Sequence, residues 1–233
     1  MINKLKSLVN KAPAQKVSDA RLNANCTIPE VNKWIMSDFI LNTLIPVVGT
    51  RPFPLDELML MSSAVVYSRP SYIFEWGTHI GKSARIFYET TKVFNIHCSV
   101  HSIDLPDDVT HVEHPKNERG MLVRGIKEVT LHQGDGVTKA LEIYNTLDKE
   151  APALFFVDGD HEYESVKREL EMILNTVKNP FVLLHDTFYQ SKESKYNVGP
   201  FNAINDVLGT KANAYQLIST QMGLPGMTFL YKK

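Results

Sequence analysis

The chain has 233 residues, of which 43% are hydrophobic and 22% charged, which suits one buried core with an extension and excludes a disordered or fibrous chain. A formal net charge of -1 excludes a broad nucleic-acid-binding surface, which needs a basic excess to displace counterions, although it leaves room for a local basic patch. The two cysteines, Cys26 and Cys98, form no Cys-x-x-Cys pair, so a cysteine-built zinc site has no support, and Cys98 reads as a buried reduced thiol. No apolar run has the length of a signal-peptide core or a membrane span, which points to a cytoplasmic protein without integral membrane association.

From Met1 to about Lys16, Ile2, Leu5, Leu8 and Val9 recur at helical spacing among lysines. Such a basic amphipathic helix packs on its own domain more often than it lies on a membrane. A second helix is expected from about Val31 to Leu44, followed by Pro46. A third starts with Pro54 at its first position and runs through Leu55, Leu58, Met59 and Ser62 to about Tyr67. No Gly/Ser-rich linker follows them, so residues 1–69 read as a helical extension packed on a core of residues 70–233, and as a surface for a homodimer.

From Ser71 strands and helices alternate. Strands are expected at Tyr72–Trp76, His97–Asp104, Val129–His132, Ala153–Val157 and Phe181–Leu184. Helices fall between them, from Lys82 to about Thr91, from about Val137 to Leu147, and on the stripe Tyr163, Val166, Leu170, Ile173, Leu174 and Val177. Alternation of this kind builds a parallel sheet, and the unbroken apolar run Ala153–Val157 suits a strand covered on both faces. Tyr215–Ser219 and Met227–Tyr231 are joined by a segment too short for a crossover helix, so they pair antiparallel. The expected fold is α/β, a doubly wound, mostly parallel, seven-stranded Rossmann-like sheet that ends in an antiparallel hairpin.

Open α/β sheets bind ligands outside the carboxyl ends of their strands. Four strands here end at Glu75, Asp104, Asp135 and Asp158. Gly77 and Gly81 bracket the first turn and let the backbone approach a ligand, while the following helix offers free N–H groups to an anion, with Thr78 or Ser83 as an added donor. One such acid is readily explained as a helix cap. Four at four strand ends are not. The stretch Gly77–Ser83 also imitates a nucleotide-binding P-loop, but it holds three residues between its glycines where that motif has four.

Together, Glu75-x-Gly77-Thr78-x-x-Gly81-x-Ser83, Asp104, Gly134-Asp135, Val157-Asp158-Gly159-Asp160-His161-x-Tyr163 and Leu184-His185-Asp186-Thr187 resemble a branch of the class I S-adenosylmethionine (SAM)-dependent O-methyltransferases. That branch includes enzymes acting on sugars and antibiotics and proteins described as cephalosporin-hydroxylase-like, and the resemblance covers about residues 70–233. It implies that SAM lies against Glu75, Gly77, Thr78, Gly81, Ser83, Asp104, Asp135 and Asp158. Glu75 would face the cationic end of the ligand, Asp104 the ribose hydroxyls and Asp135 the adenine amino group. The activity implied is methyl transfer to a hydroxyl of a small-molecule acceptor, a sugar or a secondary metabolite; a hydroxylase-like reaction on the same fold is the alternative.

A neutral hydroxyl is a poor nucleophile, so the site needs a base or a cation that stabilises the alkoxide. Asp158 and Asp186 end adjacent strands and, with His185, are candidate ligands for Mg2+ or another divalent cation; the imidazole suits Mn2+, Fe2+ or Zn2+ better. Thr187 stands where metal-dependent catechol-type relatives carry Asn, and His161 where they carry a lysine base, which makes His161 a candidate catalytic base beside Asp158 and His185. Asp160 is a spare carboxylate or a helix cap. His111 and His114 lie in an irregular acidic stretch and are weaker candidates as ligands. That stretch and the aromatics from Phe188 through Tyr196 to Phe201 read as mobile walls over the acceptor.

Overall fold

The computed structural model describes residues 20–22, 28, 30–109, 115–189, 197–220 and 222–233. The expected N-terminal helix over Met1–Lys16, Cys26, His111, His114 and Tyr196 lie outside these residues.

The strand–helix alternation closes into one seven-stranded sheet of order β3-β2-β1-β4-β5-β7-β6. Its strands are β1 (Tyr72–Trp76), β2 (Ser99–Asp104), β3 (Val129–Gln133), β4 (Ala153–Val157), β5 (Phe181–His185), β6 (Tyr215–Ser219) and β7 (Met227–Lys232). The first five pair in parallel, and β7 runs antiparallel between β5 and β6. Side chains alternate between faces. In β4, Leu154 and Phe156 enter one core while Ala153, Phe155 and Val157 enter the other, which is why that run had to be apolar throughout. Burying Phe156 completely is worth about 2–3 kcal/mol.

Helices α4 (Lys82–Val93) and α3 (Leu55–Ser68) cover the first face, while α5 (Gly136–Tyr144), α6 (Tyr163–Thr176) and α7 (Gly199–Leu208) cover the second. Ahead of them, α1 (Lys33–Phe39) passes through a π turn at Ile40–Leu44 into α2 (Ile45–Val48). The sequence suggested a stop before Pro46. Instead the wider turn, with Ile45 N–H bonded to Ile40 C=O, carries the helix past a residue that has no N–H to give. Pro54 is the N-cap of α3 rather than its first residue, and α3 packs beside α4 over β4, β5 and β7. Its inward residues Leu58, Met61 and Val65 share one core with Ile73 and Phe229 of the sheet.

Helix α7 corrects the reading of Phe201 as part of a mobile wall. Pro200 occupies its first turn, where a missing N–H costs nothing, and Ala203, Ile204 and Leu208 are buried at helical spacing. Tyr163 on α6 donates to Asp206 on α7 at 2.7 Å and ties the two helices together. No helix among the described residues is long and apolar enough to cross a membrane.

Candidate active site

The strand order reverses between β1 and β4, so the crevice at their carboxyl ends is the switch point of the sheet. Gly77 makes the close approach possible. Its φ is +88°, and a Cβ there would lie 2.3 Å from the Asp158 carbonyl oxygen. A cleft of about 1410 Å³ opens at this point, walled by Gly77, Asp104, Asp135, Asp158, His161 and Asp186 among others. Single-ligand pockets usually hold roughly 300–1,000 Å³, so there is room for two reactants side by side.

Below the cleft, Glu75 is fully buried and accepts a hydrogen bond from Ser83 Oγ at 2.8 Å and a second from Ser102 Oγ. Thr78 Oγ1 lies 2.6 Å from the same Ser102 hydroxyl. This corrects the expectation for the first turn. The hydroxyls of Ser83 and Thr78 are committed to the network under the cleft, because a buried carboxylate must find donors. Glu75, Thr78 and Gly81 lie behind the cleft wall, whereas Gly77 and Ser83 reach it. Burial, with Asp158 and Asp104 nearby, pushes the Glu75 carboxyl up to about 7.

Asp104 and Asp135 both line the cleft, each with partners of its own. Asp104 accepts from His79 N–H at 3.2 Å, Leu105 N–H at 2.9 Å and Arg119 Nε at 3.1 Å. Asp135 caps α5 through Thr138 N–H at 3.1 Å and pairs with Arg168 Nη2 at 2.7 Å. Burial raises Asp135, but Arg168 and Thr138 outweigh it and hold the group below the usual carboxylate range. Trp76 and Glu169 lie against each other on the same wall, where the indole partly offsets the burial that pushes the Glu169 carboxyl up to about 7. Asp160 accepts from Glu162 N–H at 3.2 Å and from Ser165, so it braces the start of α6.

The fourth strand end meets the fifth. Asp158, His161, His185 and Asp186 each bring one ligand atom to within 4.8 Å of all the others. His161 Nδ1 lies 2.8 Å from Asp186 Oδ2, while its Nε2 stands 3.5 Å from Asp158 Oδ1 without hydrogen-bond geometry. His185 Nδ1 lies 2.8 Å from Asp158 Oδ1 and 3.7 Å from Asp186 Oδ2. Asp186 takes a left-handed φ of 54°, which turns its side chain back toward the cluster. Asp158 and Asp186 push His161 up to about 10, and Asp158, Glu57 and Asp186 together overcome burial to raise His185. Burial works against Asp158 in turn, yet His185 and His161 keep it below its usual range.

A divalent cation fits this donor set. Two imidazoles and two carboxylates match Mn2+, Fe2+ or Zn2+ better than Mg2+, and the buried Nε2 of His161 makes no hydrogen bond within the cluster. The sequence had put His161 with the bases and not with the ligands; the structure brings it within reach of the other three candidate ligands. Glu57, Arg119, Arg168 and Glu169 were not foreseen as site residues. They come from helices and loops whose position over the strand ends no local pattern reports.

Residues 74–187 match a family model described as a methyltransferase domain. With the sheet order above, residues 74–187 sit in a domain of the class I methyltransferase fold. The P-loop alternative is thereby set aside. Among solved structures, the chain is similar to an O-methyltransferase from Bacillus cereus in complex with SAH, at 11% identity and TM-score 0.56, over 100% of this chain and 97% of that one. It is also similar to CalS11, the TDP-rhamnose 3'-O-methyltransferase of calicheamicin biosynthesis, at 17% identity and TM-score 0.54, over 89% and 88% of the two chains. A third, CmcI with Mg and SAM, shares 19% identity with TM-score 0.50 over 77% and 72%. At such identities the likeness is one of fold. No curated protein matches the chain.

Proposed function

We propose that the chain transfers the methyl group of SAM to a hydroxyl of a small molecule, a sugar or a secondary metabolite, with the help of a divalent cation. The observation that carries this reading is the cluster of Asp158, His161, His185 and Asp186 opening on the same cleft as Asp104. Donor and acceptor can therefore meet beside groups that handle a proton. The sugar O-methyltransferase and the Mg- and SAM-bound protein among the structural neighbours support the acceptor class and the cation.

Methyl transfer from a sulfonium is an in-line displacement, so positioning comes first. Asp104 is placed to accept the ribose hydroxyls once Arg119 yields, and Trp76, Glu169 and the Asp135–Arg168 pair surround the adenine end. Glu75 supplies a buried negative charge beneath the sulfonium end. Asp158, Asp186 and His185, with His161 beside them, would hold the cation, whose chemistry would be to stabilise the acceptor oxygen as it loses its proton. Asp158 and Asp186 are the groups that raise His161; once the cation engages them, the ring, oriented by Asp186 through Nδ1, would be the base that receives that proton.

Calorimetry with SAM, followed by assay of S-adenosylhomocysteine release over a panel of sugar nucleotides and phenols, tests the reading. SAM binding with turnover that EDTA stops is expected, and Asp186→Ala should lose turnover while keeping SAM. Absence of SAM binding refutes the enzyme assignment; full activity in EDTA refutes the cation. A second reading, hydroxylation, draws on the same two-imidazole, two-carboxylate set, which also suits Fe2+. Dioxygen consumption without S-adenosylhomocysteine would select it. The proposal further places the chain in the cytoplasm with no nucleic-acid partner. Exposed Trp34 and Leu41 on the N-terminal helices favour a homodimer there, which light scattering would detect.

A further inference from the structure

Glu57 lies on α3, outside the segment matched by the family model, yet it reaches the cluster from beneath and is 1% exposed. The packing of α3 does not call for a carboxylate. Its inward neighbours Leu58, Met61 and Val65 are apolar and already hold the helix on the sheet. A buried carboxylate is costly unless its oxygens find donors, and both do. Oε2 lies 3.1 Å from His185 Nε2, and Oε1 accepts the Gly226 N–H at 2.8 Å. The second bond pins the carboxylate, so that it cannot turn away from the imidazole. Phe53, with its ring 5.0 Å from that of His185, closes another side.

We infer that Glu57 is a positioning residue for the cation site: by accepting the Nε2 proton of His185 it fixes the ring tautomer and orientation in which Nδ1 faces Asp158 and Asp186. An imidazole that ligates a metal through one nitrogen characteristically donates its other N–H to such an acceptor, which sets the tautomer and raises ligand basicity. The inference rests on the cation reading above. It also gives the helical prelude a part in the chemistry, because α3 and the β6–β7 connection meet at His185 through this one side chain.

The test is a Mn2+ titration of the full chain followed by electron paramagnetic resonance, with SAH affinity and thermal midpoint measured on the same samples. Glu57→Gln should weaken Mn2+ binding by about 10–100-fold, with SAH affinity near the wild-type value, and Glu57→Asp should recover part of the loss. Unchanged Mn2+ affinity with a lowered thermal midpoint would reduce Glu57 to a packing element and overturn the inference. A wild-type chain that binds no Mn2+ would instead withdraw the cation reading, and this inference with it. Should the Gln variant fail to fold, the wild-type protein loaded with Zn2+ still decides. Long-range proton–nitrogen correlation should show His185 protonated at Nε2, and a ring protonated at Nδ1 would overturn the assignment.

Discussion

Glu75 ties stability to pH in a way that can be measured. Its carboxyl is fully buried with two hydroxyl donors, and burial raises it from 4.5 to about 7. The folded chain therefore binds a proton at Glu75 that the unfolded chain releases from about pH 4.5 upward. A raised folded-state value contributes stability that is fully present below the unfolded value and lost as pH rises through the folded one. At about 1.36 kcal/mol per unit, the shift amounts to about 3 kcal/mol between pH 4.5 and pH 7. Glu75→Gln keeps the shape of the protonated acid and cannot ionise. Urea unfolding of both proteins from pH 4.5 to 8 should give curves that diverge with pH, the variant gaining about 3 kcal/mol on the wild type by pH 8. Glu169, which burial also raises to about 7, titrates in both proteins and cancels in the difference. The same variant should bind SAM more weakly, since it lacks the negative charge under the sulfonium, a case of stability traded for function. A stability difference that does not change with pH would refute the argument.

Two further outcomes follow from the cleft. Asp104→Asn should weaken SAH binding by about 10–100-fold, since a charge-assisted bond to ribose is worth about 1.5–3 kcal/mol, whereas Arg119→Ala should not weaken it because Arg119 competes for the same oxygen; calorimetry reads both. Gly77→Ala should cost at least about 1–3 kcal/mol in unfolding free energy, because φ is +88° and the new Cβ would press on the Asp158 carbonyl 2.3 Å away.

The elements were largely legible because each carries its own pattern. The apolar run of β4 and the stripe on α6 report burial, and observed strand bounds depart from expectation by a residue or two. Helix α7 was hidden because Gly199-Pro200 reads as a break, although proline in a first turn is also a start signal. The cluster at Asp158, His161 and His185-Asp186 was legible as residue types at strand ends. The commitments of its neighbours were not. Whether Ser83 points to a ligand or down to Glu75 depends on Ser102, a residue on another strand.

Sequence alone, then, determined the alternation, the terminal hairpin and the acids at the strand ends, since periodicity and turn chemistry are local properties of a chain. Tertiary structure decided which of those groups share a point in space. It set Glu57 against His185 across 128 positions of sequence, paired Asp104 with Arg119, and gathered two histidines and two aspartates within reach of one ion. Contacts between distant segments follow from how helices settle on the finished sheet, and no window of sequence contains both partners.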